Sequence, residues 1–368
     1  MATITKTIGT SSRDYSTMLL WEADLDDDSV YDAGDDAVGA CYNDSAFDMA
    51  GTYLYINSGS SVGGGGALGS IKLTAPEGQR HDGTAGTGVR IVSTSAHNRV
   101  YMRPATSTEN WLIVEWIELN NNGRDTISVN SSGTAGCVPV IRNCIIHNGM
   151  RSLLQAISKD CRALNNLFYA GGAVDNGTVR GVDLDADQAN GGFINNTVFG
   201  INNNASNAAY GLYIRSDDTD GVLKNNIVMG TASTGGGSPV DIRFPSFSSN
   251  IASDYNMTSD STGDNAGGSN NLIDKTSGDQ FVSSTTGSED LHLKDGAEAL
   301  RAGADLGTSV TINSQVVVSS AFGTPINIDI DGRDRDAEGD DWDIGADQCH
   351  TCSEGGATAN PAFIFFVD

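Results

Sequence analysis

A chain of 368 residues with 45 Gly, 7 Pro and 18 % charged residues is long enough for one large domain or two ordinary ones. It is poor in segments of helical period, and its steady short runs of Val, Ile, Leu, Phe and Tyr argue against disorder. Its net charge of -26, from 47 acidic against 21 basic residues, excludes ready attraction to nucleic-acid backbones or anionic membranes. An all-β protein with many turns is what remains.

Residues 1–50 are expected to form an N-terminal cap and the first strands. The stretch "MATITKTIGTSSRDYSTMLLWEADL" lacks the continuous apolar core of a secretory signal, and no stretch reaches transmembrane length. Synthesis in a cytoplasm without a signal peptide is therefore the expectation. Within this stretch, Ser and Asp precede Met18, Leu19, Trp21 and Leu25, which predicts a short amphipathic helix covering the first coil. "WLIVEWIELN" (111–120) reads as one strand of an early coil.

Residues 51–290 carry a repeat. "IRNCII", "LNNLFY", "INNTVF" and "LKNNIV" share an apolar–polar–Asn–any–apolar pattern, with "SSNIAS" as a weaker fifth. The aligned asparagines are Asn143, Asn166, Asn196, Asn225 and Asn250, spaced by 23, 30, 29 and 25 residues. A second strand family aligns Val182, Leu212 and Val240 at similar spacing. Two or more strand types per coil of about 25 residues, each stacking on its own kind, predict a single-chain parallel β-helix. An inward Asn at a sharp bend would hydrogen-bond its neighbours above and below, and Asn tolerates the left-handed backbone such a bend needs. In "FINNTVFG" this assigns Asn196 to the ladder and Asn195 to the surface beside it.

The second strand family also places Asp183, Tyr213 and Asp241 in one column, with Arg215 in the next. Carboxylates one or two rungs apart could flank a glycosidic bond, so Asp183, Asp241 and Arg215 are the residues an enzyme would use. Asp185, Asp187, Asp217 and Asp218 follow in acidic turns, where solvated loops compete with a Ca²⁺ site. No other cofactor is expected. The five histidines are scattered along the chain, and none joins this column.

Residues 291–348 are expected to supply closing coils and a C-terminal cap, and 349–368 a Cys-containing linker and an apolar final strand. In "CHTC", Cys349 and Cys352 form a CxxC that could be a local disulfide, a thiol pair or half of a metal site. Cys137 and Cys161 are 24 residues apart, close to one coil, and could be stacked neighbours; Cys144 beside Asn143 reads as core filling. Phe363, Ile364, Phe365, Phe366 and Val367 form an apolar strand that would either fold back or dock on a partner.

The segments "RAGADLG" (301–307), "DIDGRDR" (329–335) and "DIGADQ" (343–348) resemble the closing motifs of right-handed parallel β-helix proteins related to pectate lyases, with Gln348 where an acid is usual. The opening "TKTIGTSSRDYST…WEADL" is similar to the capped N-terminus of β-helix proteins from tailed phages and environmental viruses. This resemblance implies a right-handed solenoid and a non-enzymatic virion protein, structural or adhesive: a decoration protein, fibre or spike. Its partners would be capsid or tail proteins and a host surface glycan, with a homo-oligomer allowed. A polysaccharide lyase or glycoside hydrolase and a non-catalytic glycan-binding module are the alternatives, since this fold serves many functions.

Overall fold

In the computed structural model the chain is an all-β parallel β-solenoid of about 7 turns. The structure describes all residues except 1, 50–51, 57–58, 60–61, 63–65, 94–99, 104–110, 122, 124, 131–137, 158–160, 173–176, 185–190, 216–220, 245–250, 313–314, 319–324, 338–340 and 354–368. Each turn visits three sheets in order. Sheet A has 9 strands, from Thr3–Ile8 to Ala252–Asp254; sheet B has 8, from Phe47–Asp48 to Met257–Thr258; sheet C has 7, from Leu54–Ile56 to Pro239–Arg243. Neighbouring strands in all three are parallel, so like residues stack rung on rung, as in Ile146, Phe168, Val198 and Val228 along the inner side of sheet B.

The corner between sheets A and B resolves the asparagine doublets into two columns with different work. Trp116, Asn143, Asn165, Asn195, Asn225 and Tyr255 have φ between 47° and 60°, the left-handed bend itself. The residue after each bend turns inward, and there Asn166, Asn196, Asn226 and Asn256 form the ladder. Asn166 Nδ2 donates to Asn196 Oδ1 at 2.9 Å, Asn196 Nδ2 to Asn226 Oδ1 at 3.2 Å, and Asn226 Nδ2 to Asn256 Oδ1 at 2.9 Å. Each Oδ1 also accepts the backbone N–H of the rung below, and each Nδ2 reaches a carbonyl of a neighbouring coil, such as Ala163 O at 2.8 Å from Asn196. Asn271 closes the far end by accepting from Asn256 N.

The ladder predicted from sequence therefore mixed the columns. Asn143 and Asn225 belong to the bend, and the inward rungs beside them are Cys144 and Asn226; Asn250 lies outside the described residues. The inward asparagines are spaced by 30 residues throughout, and choosing the first Asn of one doublet but the second of the next is what made the period appear to wander. Asn195 is not a surface residue but fully buried. "WLIVEWIELN" likewise crosses this corner, giving strands Trp111–Glu115 and Glu118–Asn121 with Trp116 at the bend.

Asn195 is buried because the chain turns back over its own solenoid. Among the described residues, 291–348 adds no rung to sheets A, B or C, contrary to the closing coils expected from sequence. It follows an antiparallel pair, Phe281–Ser283 with Asp290–Leu293, and lies on the outer faces of sheets A and B. Ile145, Leu167, Tyr169, Phe199, Ile227 and Met229 project outward from sheet B and pack on Phe281, Leu293, Ala299 and Ile344. On sheet A, Ile113, Val140, Leu164 and Ile194 pack on Ile326 and Trp342. Both faces of these strands are thus covered, which is why "LFY", "TVF" and "IVM" are apolar at every position rather than alternating. The bend asparagines fasten the layer: Asn143 Nδ2 donates to Asp329 O at 2.6 Å, Asn165 Nδ2 to Ile326 O at 3.0 Å, and Asn225 Nδ2 to Ala304 O at 2.8 Å.

At the N-terminus, helix Met18–Ala23 starts at Thr17, whose hydroxyl accepts from Leu20 N at 3.2 Å. It buries Met18 and Trp21 and exposes Leu20. Trp21 lies flat on strand Asp36–Cys41 because Gly39 has no Cβ, which would fall 2.8 Å from the indole.

His81 reaches from the connection after strand Ser70–Thr74 to the bend at Asn143. Its Nε2–H donates to Asn143 O at 2.9 Å, and its Nδ1 accepts from Gly83 N–H at 3.3 Å, which fixes the neutral tautomer. Burial depresses its pKa to about 4 from 6.5. Below pH 6.5 the unfolded chain takes up a proton that the folded chain refuses, so His81 removes stability as pH falls from 6.5 towards 4, by about 3 kcal/mol in full. Urea titrations of the wild type and His81→Gln should show their stability difference moving by that amount between pH 7 and pH 4. A pH-independent difference would show that His81 does not titrate in this way.

Candidate functional site

The outer face of sheet C is not covered by the C-terminal layer and carries the residues that sequence singled out. Its register places Tyr55, Tyr101, Ser128, Gln155, Asp183, Tyr213 and Arg243 in one continuous row. The sequence alignment slipped by two residues at the last rung: Leu212 pairs with Ile242, not Val240, so Arg243 rather than Asp241 continues the column. The cause is the length of the preceding turn, which side-chain pattern alone did not reveal.

Of the three residues assigned to an enzyme, the structure brings two together. Asp183 is fully buried at its carboxylate and held bidentately by Arg215, Nε to Oδ1 at 3.1 Å and Nη2 to Oδ2 at 2.9 Å, with Arg180 Nη1 3.4 Å from Oδ2. Asp241 stands apart. It is 1 % exposed and accepts from Thr231 N at 3.3 Å, from Ser259 N at 2.7 Å and from Ser259 Oγ at 2.7 Å. Burial, with Asp260 adding to it, raises the Asp241 pKa. Both carboxylates are engaged in tying coils together, and neither faces an open cleft as a proton-transferring pair must.

What the face does present is aromatic rings framed by guanidinium groups. Tyr210 and Tyr213 are stacked at 5.0 Å between centroids. The guanidinium of Arg180 lies 4.9 Å and that of Arg215 5.5 Å from the Tyr213 ring. One turn lower, Arg151 grips the buried Asp125 through bonds of 2.8 and 2.6 Å and reaches Gln155 Oε1 at 3.4 Å. Further down, Tyr101 meets Tyr53 and Tyr55 edge-on at 5.7 and 5.4 Å, and Arg103 donates to Tyr55 Oη at 2.7 Å. In a chain with 47 acidic residues and 21 basic ones, this face gathers Arg103, Arg151, Arg180, Arg215 and Arg243. Sequence reasoning placed Tyr213 in the row but missed Arg151, Arg180 and Tyr210; the sole signal was the pairing of "TVRGVDL" with "AAYGLYI".

The remaining assigned positions fall elsewhere. Asp185, Asp187, Asp217 and Asp218 lie outside the described residues, as do Cys137 and the strand Phe363, Ile364, Phe365, Phe366 and Val367. Cys161 is buried at 2 % exposure. Cys144 is fully buried at the ladder's apolar end, where burial pushes its thiol pKa up to about 12. Cys349 and Cys352 are joined by a disulfide across a Cα–Cα distance of 5.5 Å. No helix of the described residues is long and apolar enough to cross a membrane.

The geometry defines the class as a parallel β-solenoid with one sheet face left bare and two covered. Comparison with family models, curated proteins and solved structures found no match.

Proposed function

We propose that this chain is a non-enzymatic, rigid solenoid that presents the outer face of sheet C to a surface glycan, as a structural or adhesive component of a virion. The observation that carries the reading is the Tyr213 platform: a ring stacked on Tyr210, edged by Arg180 and Arg215, on strands whose spacing is fixed rung by rung. Aromatic faces accept the apolar faces of sugar rings, and guanidinium groups offer forked donors to hydroxyl or carboxylate oxygens at the ring edge. The same contacts that make the platform rigid keep Asp183 from serving as acid, base or nucleophile. The virion setting rests on the resemblance of the two terminal segments, and a decoration protein, fibre or spike is the finer form proposed.

Purified protein should retain one or more members of a panel of acidic and neutral polysaccharides without generating new reducing ends or unsaturated products. Tyr213→Ala should weaken that binding roughly fivefold, about 1 kcal/mol. Turnover abolished by Asp183→Ala would replace this reading with the lyase or hydrolase alternative. Antibody to the chain should label intact particles if the virion setting is right.

A further inference from the structure

Away from sheet C, the C-terminal layer closes a surface cavity of about 660 Å³ beside the Cys349–Cys352 disulfide. His292, Asp331 and Asp347 line it, and one ligand atom of each lies within 4.8 Å of the other two. They come from three separate parts of the layer: the strand Asp290–Leu293, the turn after Ile330 and the closing "DIGADQ". A His292 cation bridging Asp290 and Asp331 would account for two of the local carboxylates, since Nδ1 is 2.5 Å from Asp290 Oδ1 and Nε2 3.0 Å from Asp331 Oδ1. It does not account for Asp347. That carboxylate is only 3 % exposed; its Oδ2 accepts from Leu293 N at 2.7 Å, and its Oδ1 accepts no hydrogen bond among the described residues while the group lines the cavity. A buried carboxylate oxygen without a donor is costly unless a cation serves it.

A second observation comes from the opposite wall. Gly83 packs so closely that a Cβ there would fall 2.2 Å from Asp331 Oδ1 and 2.5 Å from His292 Nε2. The backbone of an early coil therefore roofs the two groups and excludes any larger residue. With Asp290 holding Nδ1–H, the imidazole is oriented with Nε2 towards the carboxylates, the carboxylate–histidine arrangement that sets a metal ligand.

We propose that His292 Nε2, Asp331 and Asp347 bind one divalent transition-metal ion of the zinc or manganese kind, with its remaining coordination positions open to the cavity. One imidazole and two carboxylates suit such ions, and ligand atoms around a small tetrahedral ion lie roughly 3.5 Å apart, within small side-chain rotations of this arrangement. Binding replaces the shared proton on Nε2 with the ion, and clasps three parts of the fold-back layer at one point.

The test uses tag-free, chelator-treated full chain and calorimetric titration with Zn²⁺, Mn²⁺, Mg²⁺ and Ca²⁺. Uptake of one Zn²⁺ or Mn²⁺ per chain is expected, weakened roughly ten- to hundredfold in His292→Ala, Asp347→Asn and Gly83→Ala. Wild-type protein labelled with ¹⁵N-histidine should show one imidazole Nε2 signal shifting on Zn²⁺ addition, a readout that needs no variant to fold. No stoichiometric uptake, uptake that survives both ligand variants, or an unmoved imidazole spectrum would each overturn the proposal. So would binding of Ca²⁺ alone that is indifferent to Asp347→Asn, since this would locate the ion in the acidic turns near residues 185–220.

Discussion

Asn196→Leu should lower the stability of the solenoid by about 3–5 kcal/mol, one of the two largest effects expected of any single substitution described. The amide of Asn196 serves four partners at once. Its Oδ1 accepts from Asn166 N at 3.0 Å and from Asn166 Nδ2 at 2.9 Å, and its Nδ2 donates to Ala163 O at 2.8 Å and Ile194 O at 3.0 Å. All of these lie where water cannot replace a lost partner, since Asn166, Ala163 and Ile194 are at most 1 % exposed. Leu fills a similar volume, so the cost is one of orphaned polar groups rather than of a cavity. The neighbouring Asn195 supplies the control. Its φ of 54° suits Gly, and neither Oδ1 nor Nδ2 has a hydrogen-bond partner. Asn195→Gly should therefore fall within about 1 kcal/mol of the wild type. Chemical denaturation of both variants checks the pair, and equal losses at the two positions would refute the division of the doublet into a bend residue and a ladder residue. Glycan binding by Asn196→Leu, where it folds, should match the wild type.

Arg335→Met should cost a similar 3–5 kcal/mol but unfasten a different part of the molecule. Arg335 is fully buried, and its Nη2 donates to Gly345 O at 2.9 Å and Ala346 O at 2.7 Å. Nη1 sits 3.4 Å from Asp343 O, Asp347 O and Gln348 Oε1. The carboxylates around it each cap backbone N–H groups. Asp329 takes those of Asp331, Arg333 and Gln348, Asp343 those of Arg301 and Cys349, and Asp347 that of Leu293. Burial raises the pKa of Asp329, Asp343 and Asp347 alike, so removing the one guanidinium among them leaves buried negative charge less compensated. Hydrogen exchange should then rise across residues 291–348 and on the outer positions of sheet B, while the ladder amides stay protected. Protection lost uniformly over all coils would mean that the layer and the solenoid unfold as one unit.

That network also explains the closing motif. The acidic residues of "DIDGRDR" and "DIGADQ" look like surface charge in an acidic chain, yet several are buried caps organised around Arg335. Gln348 keeps part of the role of the usual acid: its Oε1 accepts from Asp343 N at 2.8 Å while facing Arg335. A neutral acceptor suffices there because three carboxylates already surround the cation.

The sequence by itself determined the solenoid, the short capping helix and the amide ladder. Those features repeat between residues one rung apart, and a 30-residue step survives in the spacing of Asn166, Asn196, Asn226 and Asn256 even where the loops vary. Local spacing did not decide which member of each doublet turns inward, because both are Asn and differ only in φ. Nor did it fix the register at Asp241, where two residues in one turn separate a catalytic column from a structural tie. The fold-back layer was decided by tertiary structure alone. Its contacts join residues 79 to 186 positions apart, such as Asn225 with Ala304 and Asn143 with Asp329, and no periodicity links those segments. One trace of it was present, the runs apolar at every position in sheet B, which only a second covering surface can satisfy. The cluster of His292, Asp331 and Asp347 had no such trace, since each residue reads alone as ordinary surface polarity until the layer folds and brings the three to one cavity.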